Sequence, residues 1–234
     1  MIGTPRALTG PRLPPARGTA THLVVLCHGY GADGNDLIGL APHWQRVLPT
    51  AAFAAPNAPE RCAMQPSGHQ WFPISRLDPE ETWRGVQQAA PVLDAFLDAE
   101  LARLELPAER LALVGFSQGT MMSLHVGLRR KIPPFAIVGF SGMLAGADRL
   151  PAFDRPPPIL LVHGDADSMI PAAAMLQAAG ALGAAGLAVQ WHLARGVGHA
   201  IDPDGLALGG TFLADALGGR LSPSAVPIAC PLAR

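Results

Sequence analysis

Short apolar runs alternate with longer amphipathic ones along most of this chain. That alternation restricts the fold to a mainly parallel sheet covered by helices on both faces. The run His22-Leu-Val-Val-Leu-Cys-His28 is short, β-branched and closed by Gly29, which predicts a buried strand. Ala51 to Ala55, closed by Pro56, is a weaker strand candidate because alanine is a poor strand former. From Glu80 to Leu106, Trp83, Val86, Ala90, Leu93, Phe96, Leu97, Leu101 and Leu104 recur at helical spacing. Pro91 inside that stretch either kinks the helix or marks where it starts. Arg110 to Phe116 predicts a strand that passes at once through Ser117 into a helix ending near Arg130. Further strands are predicted at Phe135–Phe140, Ile159–Val162 and Ala188–Leu193, and helices over Pro171–Ala185 and Asp204–Leu217.

The 234 residues suit one domain, and 49% hydrophobic against 15% charged residues excludes disorder for the bulk of it. The expected organisation is an N-terminal extension over 1–20, the domain over 21–218 and a loosely attached tail over 219–234. The net charge of −1 and the lack of a basic stripe speak against nucleic acid as a partner. Arg129-Arg130-Lys131 is short and follows an apolar helical run, so it is placed at a helix C-terminus. Cys27, Cys62 and Cys230 are odd in number and lack zinc spacing, which fits reduced thiols. Met1 to Gly18 has no apolar core of a secretory signal, and no stretch approaches membrane-spanning length. A cytoplasmic protein without stable membrane insertion is expected.

Gly115-Phe116-Ser117-Gln118-Gly119 matches G-x-S-x-G. A nucleophilic serine must project from a very tight strand-to-helix turn, where side chains two positions away on either hand would clash. The following helix aims its N-terminal amides at the place where negative charge develops. The apolar strand before Ser117 and the helical run Thr120-Met-Met-Ser-Leu-His-Val after it supply the context that the motif requires. Gly139-Phe140-Ser141-Gly142 also ends a strand, but Met143 stands where a second glycine would be needed, so Ser141 reads as a turn or pocket residue.

A serine hydroxyl needs a base, and the base needs a carboxylate to orient it. With a serine elbow the chain order is serine, acid, histidine. After the strand Ile159–Val162 comes His163-Gly-Asp-Ala-Asp167, where Asp165 and Asp167 compete for the acid. Only His192 and His199 lie beyond that loop; His192 falls in a strand pattern, which leaves His199, on the loop Gly196-Val-Gly-His199, as the base. The first strand runs into Gly29-Tyr30-Gly31, a glycine-rich loop whose Tyr30 amide is the expected partner of the Gln118 amide in an oxyanion hole. His28 precedes the serine, the wrong order for the base, and reads as a structural residue of the loop.

Four blocks, Leu26–Asp36, Gly115–Gly119, His163–Asp167 and Gly198-His199, resemble the phospholipase/carboxylesterase family, which includes bacterial carboxylesterases and acyl-protein thioesterases. Gln70-Trp71-Phe72 is similar to a further family segment before the long helix. The likeness runs from about His22 to Leu217. It implies an α/β-hydrolase fold with little or no lid and a triad of Ser117, Asp167 and His199, the acid being Asp167 rather than Asp165. It also implies a serine carboxylesterase acting on short- to medium-chain acyl esters, with thioesters and lysophospholipids within its chemical range. No metal or cofactor is expected. The expected partner is a small acyl ester, with a homodimer as the commonest form of self-association. By the same resemblance Trp71, Phe72, Met143, Met169 and Ile170 fall near the site as candidate acyl-pocket residues, with core packing the alternative for each. The rival readings are a catalytically silent hydrolase that binds ligand and a dienelactone-type hydrolase. The first usually lacks a triad member and the second carries cysteine at the elbow, whereas here all three positions are filled and the elbow residue is Ser117.

Overall fold

The computed structural model describes residues 7–221. In chain order its elements are β1 (Arg12–Leu13), β2 (His22–Cys27), α1 (Gly34–Ile38), α2 (Ala41–Trp44), β3 (Ala51–Ala54), β4 (Glu60–Arg61), β5 (His69–Gln70), α3 (Pro79–Arg103), β6 (Leu111–Phe116), α4 (Gln118–Gly127), β7 (Ala136–Phe140), β8 (Ile159–Gly164), α5 (Ala173–Ala184), β9 (Val189–Ala194) and α6 (Pro203–Leu217). The central sheet has the order β1-β3-β2-β6-β7-β8-β9 and is parallel except for β1. β4 and β5 form a separate hairpin.

Strand alternation divides the core. Leu23, Val25 and Cys27 of β2 and Leu111 and Leu113 of β6 face α3 and α4, meeting Val86, Leu93, Leu97 and Met122. Val24, Leu26 and Val114, one residue out of phase, face the other way onto Trp44, Phe212 and Leu213. α5 packs Met175, Ala178 and Leu182 over Ile159 and Leu161. Each fully buried aliphatic or aromatic side chain contributes roughly 1.5–3 kcal/mol of transfer free energy, so both faces of the central strands stabilise the sheet.

The principal strands and helices follow the sequence pattern closely. α3 runs without interruption through Pro91, so Pro91 does not mark its start. Its N-terminus is set by Asp78, whose carboxylate accepts from the Glu81 amide at 2.8 Å, with Pro79 in the first turn. α4 ends at Gly127, three residues short of Arg130. Ala51–Ala54 is a fully buried strand in spite of its alanines, because β1 and β2 pair with it on either side. Residues 7–20 of the segment that composition sets apart join the domain. Arg12 and Leu13 pair with Ala54 and Phe53, and the Arg12 guanidinium meets buried Glu100 at 2.6 Å. Of the expected tail, residues 222–234 lie outside the described residues. No described helix is long and apolar enough to cross a membrane.

Candidate active site

Ser117 sits at the junction of β6 and α4 with φ 54° and ψ −117°. This is sparsely populated backbone for a residue with a Cβ, costing on the order of 1–3 kcal/mol. Close backbone packing holds it there. A methyl group on Gly115 would overlap Gly119 and the Thr120 amide, and one on Gly119 would overlap the Cys27 carbonyl at the end of β2. The Ser117 amide donates to Phe140 O of β7 at 2.9 Å, and Thr120 Oγ1 reaches Gly115 O and Phe140 O at 2.8 and 2.9 Å. The glycines of the motif are therefore required by contacts among three neighbouring strands and a helix.

Gln118 opens α4 and is fully buried. Its side chain clamps the Trp71–Phe72 segment: Oε1 accepts from Trp71 N at 2.8 Å and Nε2 donates to Phe72 O at 2.7 Å. The Trp71 indole donates to His28 O at 3.0 Å. Among the described residues neither the Tyr30 nor the Gln118 amide donates a hydrogen bond. His28 itself is buried, receives the Ala58 amide on Nε2 at 2.9 Å, and so carries its hydrogen on Nδ1, toward Gly29 O at 2.7 Å. Burial lowers its pKa, which keeps it neutral. It shapes the loop that presents Tyr30.

The acid loop follows β8. Oδ1 of Asp167 accepts from the amides of Met169 and Ile170, both at 2.9 Å. Oδ2 accepts from His199 Nδ1 at 2.7 Å and lies 3.2 Å from His163 Nε2. Burial of the carboxylate opposes its charge, but the hydrogen bonds from His199, Ile170 and Met169 outweigh that and hold its pKa below the ordinary carboxylate value. Because a carboxylate only accepts, the His199 hydrogen resides on Nδ1, which leaves the Nε2 lone pair free. The His199 ring lies 4.9 Å from the Phe116 ring, directly before Ser117. The Ser117 hydroxyl makes no hydrogen bond among the described residues.

Asp165 has a different task. Its Oδ1 accepts from the Gly196 amide at 2.6 Å, while Ala166 N bonds Val197 O at 3.0 Å. These two bonds, one to the Asp165 side chain and one between backbones, tie the loop of His199 to the loop of Asp167. Ser141, read from the sequence as a turn or pocket residue, is 1% exposed, has φ 45°, and donates from its hydroxyl to Ala200 O at 3.4 Å. Its strained backbone next to the second strand end was hinted at only by the repeated Gly-Phe-Ser pattern.

The candidate pocket residues separate. Trp71 and Phe72 are 1% exposed and belong to the core beneath the site, because Gln118 holds their backbone and α3 covers the Phe72 ring at Gly85. They offer no surface to an acyl chain in this conformation. Ile170 is buried with them, Met143 is half-buried against the same cluster, and Met169 is 67% exposed beside Asp167. Among the described residues no group of three or more His, Cys, Asp or Glu is arranged to hold a metal ion. Cys27 and Cys62 are buried free thiols, Cys27 with its pKa pushed up to about 12 by burial; Cys230 lies outside the described residues.

This geometry has relatives. The chain is 28% identical over 84% of its length to acyl-protein thioesterase 1 of Gibberella zeae, covering 91% of that protein. It is 33% identical over 68% of its length to acyl-protein thioesterase 1 of Schizosaccharomyces pombe, covering 73% of it. The crystal structure of esterase PE8 superposes with a TM-score of 0.86 at 42% identity, covering 90% of this chain and 100% of that one. The phospholipase/carboxylesterase family model matches residues 10–217, beginning before β1. With its parallel sheet, its serine turn and this match across nearly the whole described chain, the protein is an α/β hydrolase belonging to the phospholipase/carboxylesterase family.

Proposed function

We propose that the chain is a serine carboxylesterase that hydrolyses short- to medium-chain acyl esters through an acyl-enzyme on Ser117. The observation that carries this reading is the 2.7 Å Asp167–His199 bond, which fixes the imidazole tautomer with Nε2 free, on a loop packed beside the strained serine turn. Ser117 attacks the ester carbonyl while His199 Nε2 takes the hydroxyl proton. The Tyr30 and Gln118 amides, both without protein partners among the described residues, donate to the oxyanion. Collapse of the tetrahedral species transfers the proton from His199 to the leaving alcohol, and water activated by His199 then releases the acid. Asp167, held ionised by its hydrogen bonds, stabilises the imidazolium formed in each half-reaction.

The connection from β7 to β8 carries only a short turn of helix at Ala147–Arg149, so no helical cap stands over the site from that side. That openness suits small soluble esters, and a thiol is as good a leaving group for the same machinery. The relatives named as acyl-protein thioesterases support a thioester as a second acyl donor. Hydrolysis of p-nitrophenyl esters from acetate to palmitate, by the wild type and by Ser117→Ala, tests the reading. The expected result is an optimum at short to medium chains and a loss of kcat on the order of a thousandfold or more in the variant. Equal activity in both proteins would remove Ser117 as the nucleophile.

A further inference from the structure

We propose that His69 is a positioning residue for the oxyanion hole, holding the Gly29–Ala32 loop so that the Tyr30 amide points at the reacting carbonyl. This rests on the reading above that Tyr30 and Gln118 supply the oxyanion amides. His69 lies on β5 and meets that loop through its backbone. Gly31 N donates to His69 O at 2.9 Å, and His69 N donates to Ala32 O at 2.7 Å, an isolated antiparallel bridge. Both bonds fall on the residues directly after Tyr30. Contact there is close. A methyl on Gly68 would lie 1.9 Å from Gly31 O, and Gly31 has φ 79°. The course of the loop past Tyr30 therefore follows the placement of the β4–β5 hairpin.

The imidazole ties that hairpin to the domain. Its Nδ1 lies 2.7 Å from Ala58 O. A carbonyl oxygen cannot donate, so Nδ1 carries the hydrogen. The amide of the same residue, Ala58, donates to His28 Nε2 at 2.9 Å, and His28 leads directly into Gly29. Both ends of the oxyanion loop are thus referred to one residue, the leading end through His28 and the trailing end through His69. Ala58 is a firm reference. It is 2% exposed, and its neighbour Asn57 donates its amide to Thr9 O at 2.7 Å and accepts from Gly34 N at 2.8 Å on Oδ1.

Other bonds hold the hairpin, but at other places. The Arg61, Gln65 and Gln70 side chains bond within it, to Ser67 O, Ser67 Oγ and Glu60. Gln118 anchors its exit at Trp71. None of these reaches the bridge between His69 and Ala32. Without the Nδ1 hydrogen the bridge persists, but it moves with a hairpin that has lost its tie to Ala58, and the Tyr30 amide loses its aim. An oxyanion donor acts through preorganised geometry, so a small displacement weakens transition-state binding while leaving ground-state binding nearly unchanged.

The test is kcat and KM for p-nitrophenyl butyrate, with Ki for the trifluoromethyl ketone of the same acyl length, whose serine adduct carries the oxyanion. It is run on the wild type, His69→Ala, His69→Asn and His69→Gln, with Ser117→Ala as reference and thermal melts for all. In His69→Ala, kcat is expected to fall on the order of tenfold with KM within about twofold, and Ki to rise by the same factor as kcat falls. Asparagine places its amide nitrogen where Nδ1 stands and should return most of both losses. Glutamine places it where Nε2 stands and should not. A folded His69→Ala with wild-type kcat and Ki overturns the proposal, as does a lowered kcat with an unmoved Ki, or an asparagine variant no better than the glutamine one. Where alanine does not fold, the asparagine–glutamine pair is read in the same way. Activity retained in Ser117→Ala, or a wild type that binds the trifluoromethyl ketone no more tightly than the plain methyl ketone, overturns the oxyanion reading and this proposal together. A wild type that prefers the trifluoromethyl ketone beside an unmoved His69→Ala overturns this proposal alone.

Discussion

Ser117 and His199 are delivered by turns of opposite construction. The serine turn is enclosed by backbone: Gly115 against Gly119 and Thr120, Gly119 against the Cys27 carbonyl, the Ser117 amide on Phe140 O. No ionisable side chain takes part in holding it. The histidine turn has room around its own glycines, although its Val197 and Gly198 carbonyls press on Gly164 of β8, where a methyl would lie 2.1 Å from Val197 O. Nothing lies within 4 Å of a methyl placed on Gly196, and only Ala166 O comes as near as 4.0 Å to one on Gly198. Beyond the Ala166–Val197 backbone bond, two carboxylates hold the turn, Asp165 on the Gly196 amide and Asp167 on the imidazole. Ser117 is thus fixed by steric exclusion, which tolerates no added atom, and the His199 side chain mainly by charge-assisted hydrogen bonds, which tolerate atoms added to the turn but not the loss of the Asp167 charge.

The largest effect expected from this contrast is at Gly119. Gly119→Ala drives a methyl into a main-chain carbonyl that β2 holds within the sheet, so no rotamer change can relieve it. The cost exceeds the ~1–3 kcal/mol of ordinary side-chain overpacking. The variant is expected to lose esterase activity altogether and to melt well below the wild type. A folded, active Gly119→Ala would mean that the elbow adapts, and the contrast would fail at its rigid end.

The two acids come next. Asp167→Asn keeps an acceptor for the Met169 and Ile170 amides but turns an amide group toward His199, forcing the wrong tautomer. A fall in kcat/KM on the order of a hundredfold or more is expected. Asp165→Asn keeps a carbonyl oxygen for the Gly196 amide and should cost less than about tenfold. Equal losses would show that loop placement matters as much as imidazole orientation.

A smaller effect separates the turns by pH. The Asp167 pKa is depressed in the fold, so its anchoring is complete above the ordinary carboxylate value of about 4 and is lost as pH falls through the lower folded value. In hydrogen exchange, protection of the Met169 and Ile170 amides should decline in that acid window. The Ser117 amide, bonded to a backbone carbonyl, should stay protected until global unfolding. Simultaneous loss at all three amides would show that acid unfolds the domain as one unit.

The same difference governs what could be read from the sequence. Ser117 and its glycines were legible because backbone crowding leaves a local signature in the chain itself. So were β2, β6, β7 and β8, whose apolar runs follow from burial on both faces. The carboxylate pair gave two candidates by pattern and the family resemblance favoured Asp167, but it is through-space geometry that puts Asp165 on the Gly196 amide and Asp167 on the imidazole. β1 and the β4–β5 hairpin were not legible. Each strand has two residues, mostly polar, and tertiary bonds such as Arg12–Glu100, 88 positions apart, hold β1 in place. Trp71 and Phe72 show a third limit. Proximity to the site was what the family resemblance implied, with core packing the alternative, but their inward facing depends on the Gln118 side chain more than 40 residues away.

The smallest expected effect probes the open end of the contrast. Gly198 lies directly before His199, and a motif-based view would rank it with Gly115 and Gly119 as indispensable. Its surroundings say otherwise. A methyl there meets only Ala166 O, at 4.0 Å, and its backbone, unlike that of Gly196 at φ 72°, is not in the left-handed region. Gly198→Ala should therefore leave kcat/KM within about threefold and stability within about 0.5 kcal/mol. Gly196→Ala should cost more, about 1 kcal/mol, for its backbone conformation alone. Thermal melts and ester turnover of the two variants side by side decide the point. If Gly198→Ala is as damaging as Gly119→Ala, the histidine turn is packed as tightly as the serine turn, and the carboxylates are not what chiefly holds His199 in place.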